Sequence, residues 1–184
     1  MERVTVPQNQ WQPVPRQLPL DVVIFEGWCV GFQPLSNEHS EDQWSKAKIY
    51  SANAGLEGSS AIPTTPLAKH SLDCLRTTNC NLQRCCDIFM GSTGFEHLIH
   101  LDTEDLANVY LLRLDQEHAL RMKTGKDITN IFVMQTVQGY VPSYELYLRR
   151  LQQEPFVEPD QEGMKRHMRV VLYGERIVER LEEL

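Results

Sequence analysis

The 184-residue sequence predicts an α/β domain, a parallel sheet with helices on its faces. Val22-Val23-Ile24-Phe25 is an unbroken β-branched and aromatic run, the pattern of a strand covered on both sides. Helix-like and strand-like segments then alternate, and the first two strands end on acids, Glu26 and Asp102. Ligands of such sheets gather beyond the carboxyl ends of the strands.

The elements follow in order. Residues 1–19 carry Pro7, Pro13, Pro15 and Pro19 among polar neighbours and read as an extended, irregular lead-in. After the Val22–Phe25 strand, Ser36 to Ile49 is polar around Trp44 and reads as a short helix, and Tyr50 to Pro66 as a surface loop. Ser71 caps a helix whose Leu72, Leu75, Leu82, Cys86 and Phe89 recur at helical spacing up to Gly91-Ser92-Thr93-Gly94. His97 to Leu101 is the second strand.

Thr103, backed by Glu104 and Asp105, caps a long helix to about Lys123, with Leu106, Val109, Tyr110 and Leu114 as its apolar stripe and Thr124-Gly125-Lys126 as its end. Thr129 to Gly139 is a further helix, and Pro142 opens another carrying Tyr144, Tyr147, Leu148 and Leu151. Glu154 to Gly163 is a loop. Residues 164–184 form a strand, Arg169 to Tyr173, then a turn and a second short strand or helix from Ile177. The whole, 1–184, reads as one incomplete domain with a helical region at 103–151.

Composition bounds the function. With 41% hydrophobic and 23% charged residues the chain can bury one core, and its formal charge of -7 without a basic run argues against nucleic acid as partner. No apolar stretch reaches membrane-spanning length and the first residues lack the order of a secretory signal, so the reading is a cytoplasmic protein. Five cysteines without a C-x-x-C pair fit reduced, packed thiols better than disulfides or a zinc site.

An acid straight after a buried parallel strand is a means of holding magnesium at a nucleotide, because a hard cation takes oxygen ligands; Gly27 then lets the backbone turn close to a ligand. Spacing alone equally allows Glu26 to be a solvated residue beyond the strand. Arg113, Glu117 and Arg121 stand four apart on one helix face, either a clamp for phosphates or an exposed stripe of ion pairs. Gly125-Lys126 is followed by Asp127 and preceded by a helix, so it is no phosphate-binding loop. The glycines and serines of 55–60 lack a lysine, and no histidine pair has metalloprotease spacing.

Three motifs in order carry a resemblance. Asp21-Val-Val-Ile-Phe-Glu26-Gly27-Trp28 with Gly31-Phe32-Gln33-Pro34-Leu35 resembles the E-G-W and G-F-x-P-L signature of P-loop kinases of the plant and fungal glycerate 3-kinase type, and its core is similar to that of uridine kinase and phosphoribulokinase. Val109 to Glu117 resembles their Y-x-W-R-L-x-Q-E segment, with Leu112 in place of the tryptophan, and Tyr140 to Tyr147 resembles their Y-x-P-x-Y-x-x-Y segment.

The resemblance implies an ATP- and magnesium-dependent kinase that phosphorylates a hydroxyl of a small metabolite. It assigns Glu26, with Gly27, to the metal and nucleotide, Arg113 and Arg121 to a lid over the phosphates, and Trp28, Tyr140 and Tyr144 to the substrate side. The G-x-x-x-x-G-K-[ST] loop of that family is not in the sequence. The expectation is therefore a partial sheet, lacking the amino-terminal strand and its phosphate loop, inactive by itself and open to self-association along an exposed sheet edge. The rival reading is a non-catalytic remnant or regulatory module on the same scaffold.

Overall fold

The computed structural model describes residues 7–10, 21–54, 66–125, 129–159, 161, 163–173 and 176–184. Among them the architecture is α/β, as predicted, with a three-stranded mixed sheet flanked by helices. Helix α1 spans Asn37–Ala54 and α2 Leu72–Cys85, continuing as a wider π turn over Cys86–Met90. Strand β1 is Leu98–Asp102, followed by α3, Ala107–Thr124, and α4, Asn130–Gln138. A run without a break joins α5, Val141–Ser143, through a π turn at Tyr144–Leu148 to α6, Arg149–Gln153. Strands β2, His167–Tyr173, and β3, Ile177–Glu183, complete the sheet.

Strand order is β1-β2-β3. The β1–β2 pair is parallel, with Leu98 opposite His167 and Asp102 opposite Val171; β2 and β3 are antiparallel, with a bulge between Val171 and Leu172. The main core gathers Phe32, Leu67, Leu75 and Leu98 with Leu146, Tyr147, Leu148, Leu151 and Phe156. Tyr110, Val137 and Val141 form a second, smaller core between α3, α4 and α5.

Local chemistry sets most boundaries. Ser71 accepts the Cys74 N–H at 3.2 Å and Thr129 accepts that of Phe132 at 3.3 Å, so both caps act as expected. Gly125, at φ +67°, ends α3 in the left-handed conformation that glycine adopts without a Cβ penalty. At the start of α3 the N-cap residue is Leu106, which offers no side-chain cap; Asp105 before it accepts the Ala107 N–H at 2.8 Å, while Thr103 accepts from the Asn108 side-chain amide.

Several expectations need correction. Val22–Phe25 is not a strand: it lies outside the sheet, and Val22, Val23 and Ile24 are 75%, 75% and 87% exposed. A strand exists only where a neighbour takes its N–H and C=O groups, and among the described residues the sheet stops at β1; the Phe25 ring settles instead on Phe89 and Phe95, at 5.9 and 6.1 Å. Helix α1 runs on to Ala54, past the expected loop start at Tyr50, and residues 55–65 lie outside the described residues. The segment after Arg176 is a full seven-residue strand. Of the lead-in, 1–6 and 11–19 lie outside the described residues, and Gln8–Gln10 is a single 3-10 turn rather than extended.

Candidate functional site

The Glu26-Gly27-Trp28 loop is shaped by two turns, in which Val30 donates to the Gly27 carbonyl and Phe32 to that of Cys29, each at 3.2 Å. Gly31 follows at φ +92°, and a Cβ there would stand 2.9 Å from Leu151 Cδ1 and 3.2 Å from Leu98 Cδ2. Only glycine lets the backbone pass between α6 and β1 in this way. Beyond it, Asn79 of α2 grips Leu35 by both backbone groups, accepting its N–H at 2.9 Å and donating to its C=O at 2.7 Å. The stretch from Gly31 to Leu35 is thereby pinned to the helical layer.

This fixing brings two distant sequence motifs together. The Trp28 ring stands 4.9 Å from Tyr140 and 6.2 Å from Tyr144, edge to face, with Phe32 closing the group at 6.1 Å from Trp28 and 6.0 Å from Tyr144. Trp28 and Tyr140 keep exposed surface, so the cluster is an aromatic ledge rather than a closed core. Burial pushes the Tyr144 hydroxyl above its ordinary range, helped by Tyr140 and Cys29, and pushes Tyr147 up to about 12; Tyr147 donates to Asn79 Oδ1 at 3.3 Å. Beneath, burial lifts the Glu145 carboxyl to about 7, although it accepts the Leu67 N–H at 2.8 Å.

Glu26 is exposed and makes no hydrogen bond or ion pair among the described residues. Arg113 and Arg121 share a face of α3, where Arg113 reaches Glu117 at 2.5 Å and donates to Gln116 at 3.3 Å. The guanidinium therefore engages its own helix and not Glu26. Among the described residues no group of three His, Cys, Asp or Glu side chains could enclose a metal ion. A lone unpaired carboxylate is compatible with magnesium, which keeps waters and needs only one or two carboxylates when phosphates supply the rest.

Asp102, the other acid at a strand end, is 6% exposed and fully engaged. It accepts from Arg169 Nε at 2.7 Å, from Gln152 Nε2 at 2.8 Å and from the Thr103 N–H at 2.8 Å. Arg169 passes the charge on to Glu182, which pairs with Arg180, which pairs with Glu104. Beside it His100 and His167 lie ring to ring at 6.0 Å, both buried. Burial lowers the pKa of each, to about 4 for His167, where His100 and Arg169 add to the effect. His167 Nδ1 accepts the Phe156 N–H at 3.2 Å, while His100 Nδ1 and His167 Nε2 have no hydrogen-bond partner among the described residues.

A cleft of about 300 Å³ opens elsewhere, lined by Gln33, Asp87, Ser92, Thr93, Arg150 and Phe156, and none of the sequence-predicted site residues borders it. The buried polar network carries little local sequence signal, because the link between its two halves, Asp102 with Arg169, spans 67 residues.

Comparison with known proteins agrees with the motifs. The chain is 32% identical over 133 residues to a probable ATP-dependent kinase, TDA10, of Saccharomyces cerevisiae, covering 72% of this chain and 37% of that protein. It is 28% identical over 142 residues to an uncharacterised kinase, mug58, of Schizosaccharomyces pombe, covering 74% of this chain and 42% of that one. Its fold matches D-glycerate 3-kinase from Cryptococcus neoformans at a TM-score of 0.71 and 26% identity, over 91% of this chain and 51% of the other. No family model matches. The chain thus spans about half the length, or less, of these relatives, and the likeness to kinases of the glycerate 3-kinase type holds in sequence and in fold. Among the described residues no helix is long and apolar enough to cross a membrane.

Proposed function

We propose that this chain is the lid and metal-carboxylate portion of a cytoplasmic kinase that moves the terminal phosphate of ATP, as its magnesium complex, to a hydroxyl of a small glycerate-like metabolite. The observation that carries the reading is the meeting of Trp28 with Tyr140 and Tyr144, which joins two motifs more than 100 residues apart into one surface beside Glu26.

Each residue has a task in this reading. Glu26 offers carboxylate oxygens to the cation, which supplies charge neutralisation at the phosphates when bound. Gly27 keeps the loop free of a side chain where the nucleotide approaches. Arg113 and Arg121 bring guanidinium charge to the transferring group as the helices of 103–151 close. Arg113, itself half-exposed, must leave the buried Glu117 carboxylate to do so. Trp28, Tyr140 and Tyr144 give the acceptor an apolar floor with hydroxyls at its rim. Self-association through the open edge of β1 belongs to the same reading.

Phosphoryl transfer rests on a backbone cradle and a lysine that this sequence does not contain. The purified chain is therefore expected to show no magnesium-dependent ATP binding by calorimetry. Co-expressed with the portion of D-glycerate 3-kinase that it does not match, it is expected to give glycerate-dependent ATP turnover, lost with Glu26→Gln and with Arg113→Ala. Micromolar ATP binding by the chain alone, weakened by Glu26→Gln, overturns the first expectation. Co-purifying halves without turnover overturn the second and favour a regulatory module, for which the Arg113–Glu117 pair already speaks.

A further inference from the structure

The aromatic ledge is assembled from two stretches far apart in sequence, and one side chain from a third stretch holds both. Asn79 lies in the interior of α2 and is 8% exposed. Its carboxamide accepts the Leu35 N–H at 2.9 Å and donates to the Leu35 C=O at 2.7 Å, and the same Oδ1 accepts the Tyr147 hydroxyl at 3.3 Å. Asparagine is a poor choice inside a helix, because its amide competes for nearby backbone groups. Here that capacity is directed to a backbone 44 residues away and a hydroxyl 68 residues away.

Both partners lead to the ledge. Leu35 ends the stretch that begins at Trp28, and the two turns in which Val30 donates to Gly27 and Phe32 to Cys29, with Gly31 passing close to Leu151 and Leu98, leave that stretch little freedom. Tyr147 shares a π turn with Tyr144, and its ring stands 5.6 Å from Phe32 while that of Tyr144 stands 6.0 Å from the same ring. Such turns inside helices are frequent at functional sites. A carboxamide suits the task, since a carboxylate cannot donate to the Leu35 C=O and an aliphatic side chain makes none of the three bonds.

We propose that Asn79 is the positioning residue of the acceptor site: it fixes the 28–35 stretch against the 140–147 run, and so sets the 4.9 Å spacing of the Trp28 and Tyr140 rings on which the small hydroxy acid rests. The inference rests on the reading of the ledge as the acceptor's floor. Asn79 acts through Leu35 and Tyr147 and touches neither acceptor nor nucleotide. Its loss therefore weakens the hold on the acceptor and leaves that on the nucleotide alone.

Fluorine NMR spectra of the full 184-residue chain, grown with fluorotryptophan, test the placement, the signals of Trp28 and Trp44 being assigned by Trp28→Phe and Trp44→Phe. Trp44 packs on the same core and donates to the His70 C=O at 2.9 Å, outside the ledge, and so reports any general loosening. Asn79→Asp, which keeps an acceptor oxygen and loses the donor, is expected to shift and broaden the Trp28 signal while that of Trp44 stays. Tyr147→Phe, which removes one bond only, shifts it less. In the enzyme reconstituted by co-expression, Asn79→Asp is expected to raise KM for glycerate about tenfold or more, with kcat and KM for ATP within about threefold. A Trp28 signal indifferent to both substitutions, a Trp44 signal that moves as far, or a KM for ATP that rises with that for glycerate each overturns the proposal. The spectra need no turnover, so a failure of the kinase reading does not conceal a failure of this one.

Discussion

Two segments of this chain share one local pattern, four apolar or near-apolar residues closed by an acid: Val22 to Glu26 and Leu98 to Asp102. The second is a strand with its carboxylate buried and held by Arg169; the first has no ladder, its two valines and isoleucine face water, and its carboxylate is unpaired among the described residues. The more apolar run is the exposed one. Pattern specifies that a segment can be a strand, and a neighbouring backbone decides whether it is.

Removing the acid from each segment separates them most widely. Asp102→Ala leaves the buried Arg169 guanidinium with Glu182 alone and is expected to cost about 3–5 kcal/mol in urea unfolding, whereas Glu26→Ala should stay within about 0.5 kcal/mol. Equal losses would mean that Glu26 is engaged after all. Beside the start of the second segment, Gly31→Ala meets both a left-handed φ and the crowding of Leu151 and Leu98, and a loss of about 2 kcal/mol is expected from the same measurement.

The smallest expected effect is a pH profile that looks flat for two opposing reasons. His167, lowered to about 4 when folded, stays neutral while the unfolded chain takes up a proton near pH 6.5, so its contribution is present above pH 6.5 and is lost as pH falls toward 4. His100, also lowered, acts in the same sense. Glu145, raised to about 7, holds its proton in the folded state, so its contribution is full below pH 4.5 and is lost as pH rises toward 7. The His167 and Glu145 contributions each amount to on the order of 1–2 kcal/mol once partial exposure is allowed for. Thermal unfolding of Glu145→Gln should therefore reveal a clear loss of stability on acidification that the unaltered protein masks; a variant as flat as its parent would remove the histidines from the argument.

Much of this organisation was legible in the sequence because it is local. Ser71 and Thr129 announce helix starts and Gly125 an end. What was hidden depends on partners far along the chain. The fate of Val22–Phe25 turns on a neighbour no periodicity reveals, the burial of Asp102 on Arg169, and the fixing of Leu35 on Asn79, 44 residues away. The resemblance named Trp28, Tyr140 and Tyr144 because their motifs are recognisable, and the His100–His167 pair was missed because each histidine alone resembles any other.

The ladder from Asp102 through Arg169, Glu182 and Arg180 to Glu104 also orders events in time. During synthesis the β1 carboxylate emerges long before the guanidinium 67 residues later that neutralises it, and Glu104 waits longer still for Arg180. The helices from α2 to α6 can form meanwhile from contacts close in sequence, while the sheet must await the last strands, a topology whose long loops slow closure. The nascent chain thus spends its vulnerable interval with a half-built sheet, and quality control that senses exposed strand edges has longest to act on this part of the molecule.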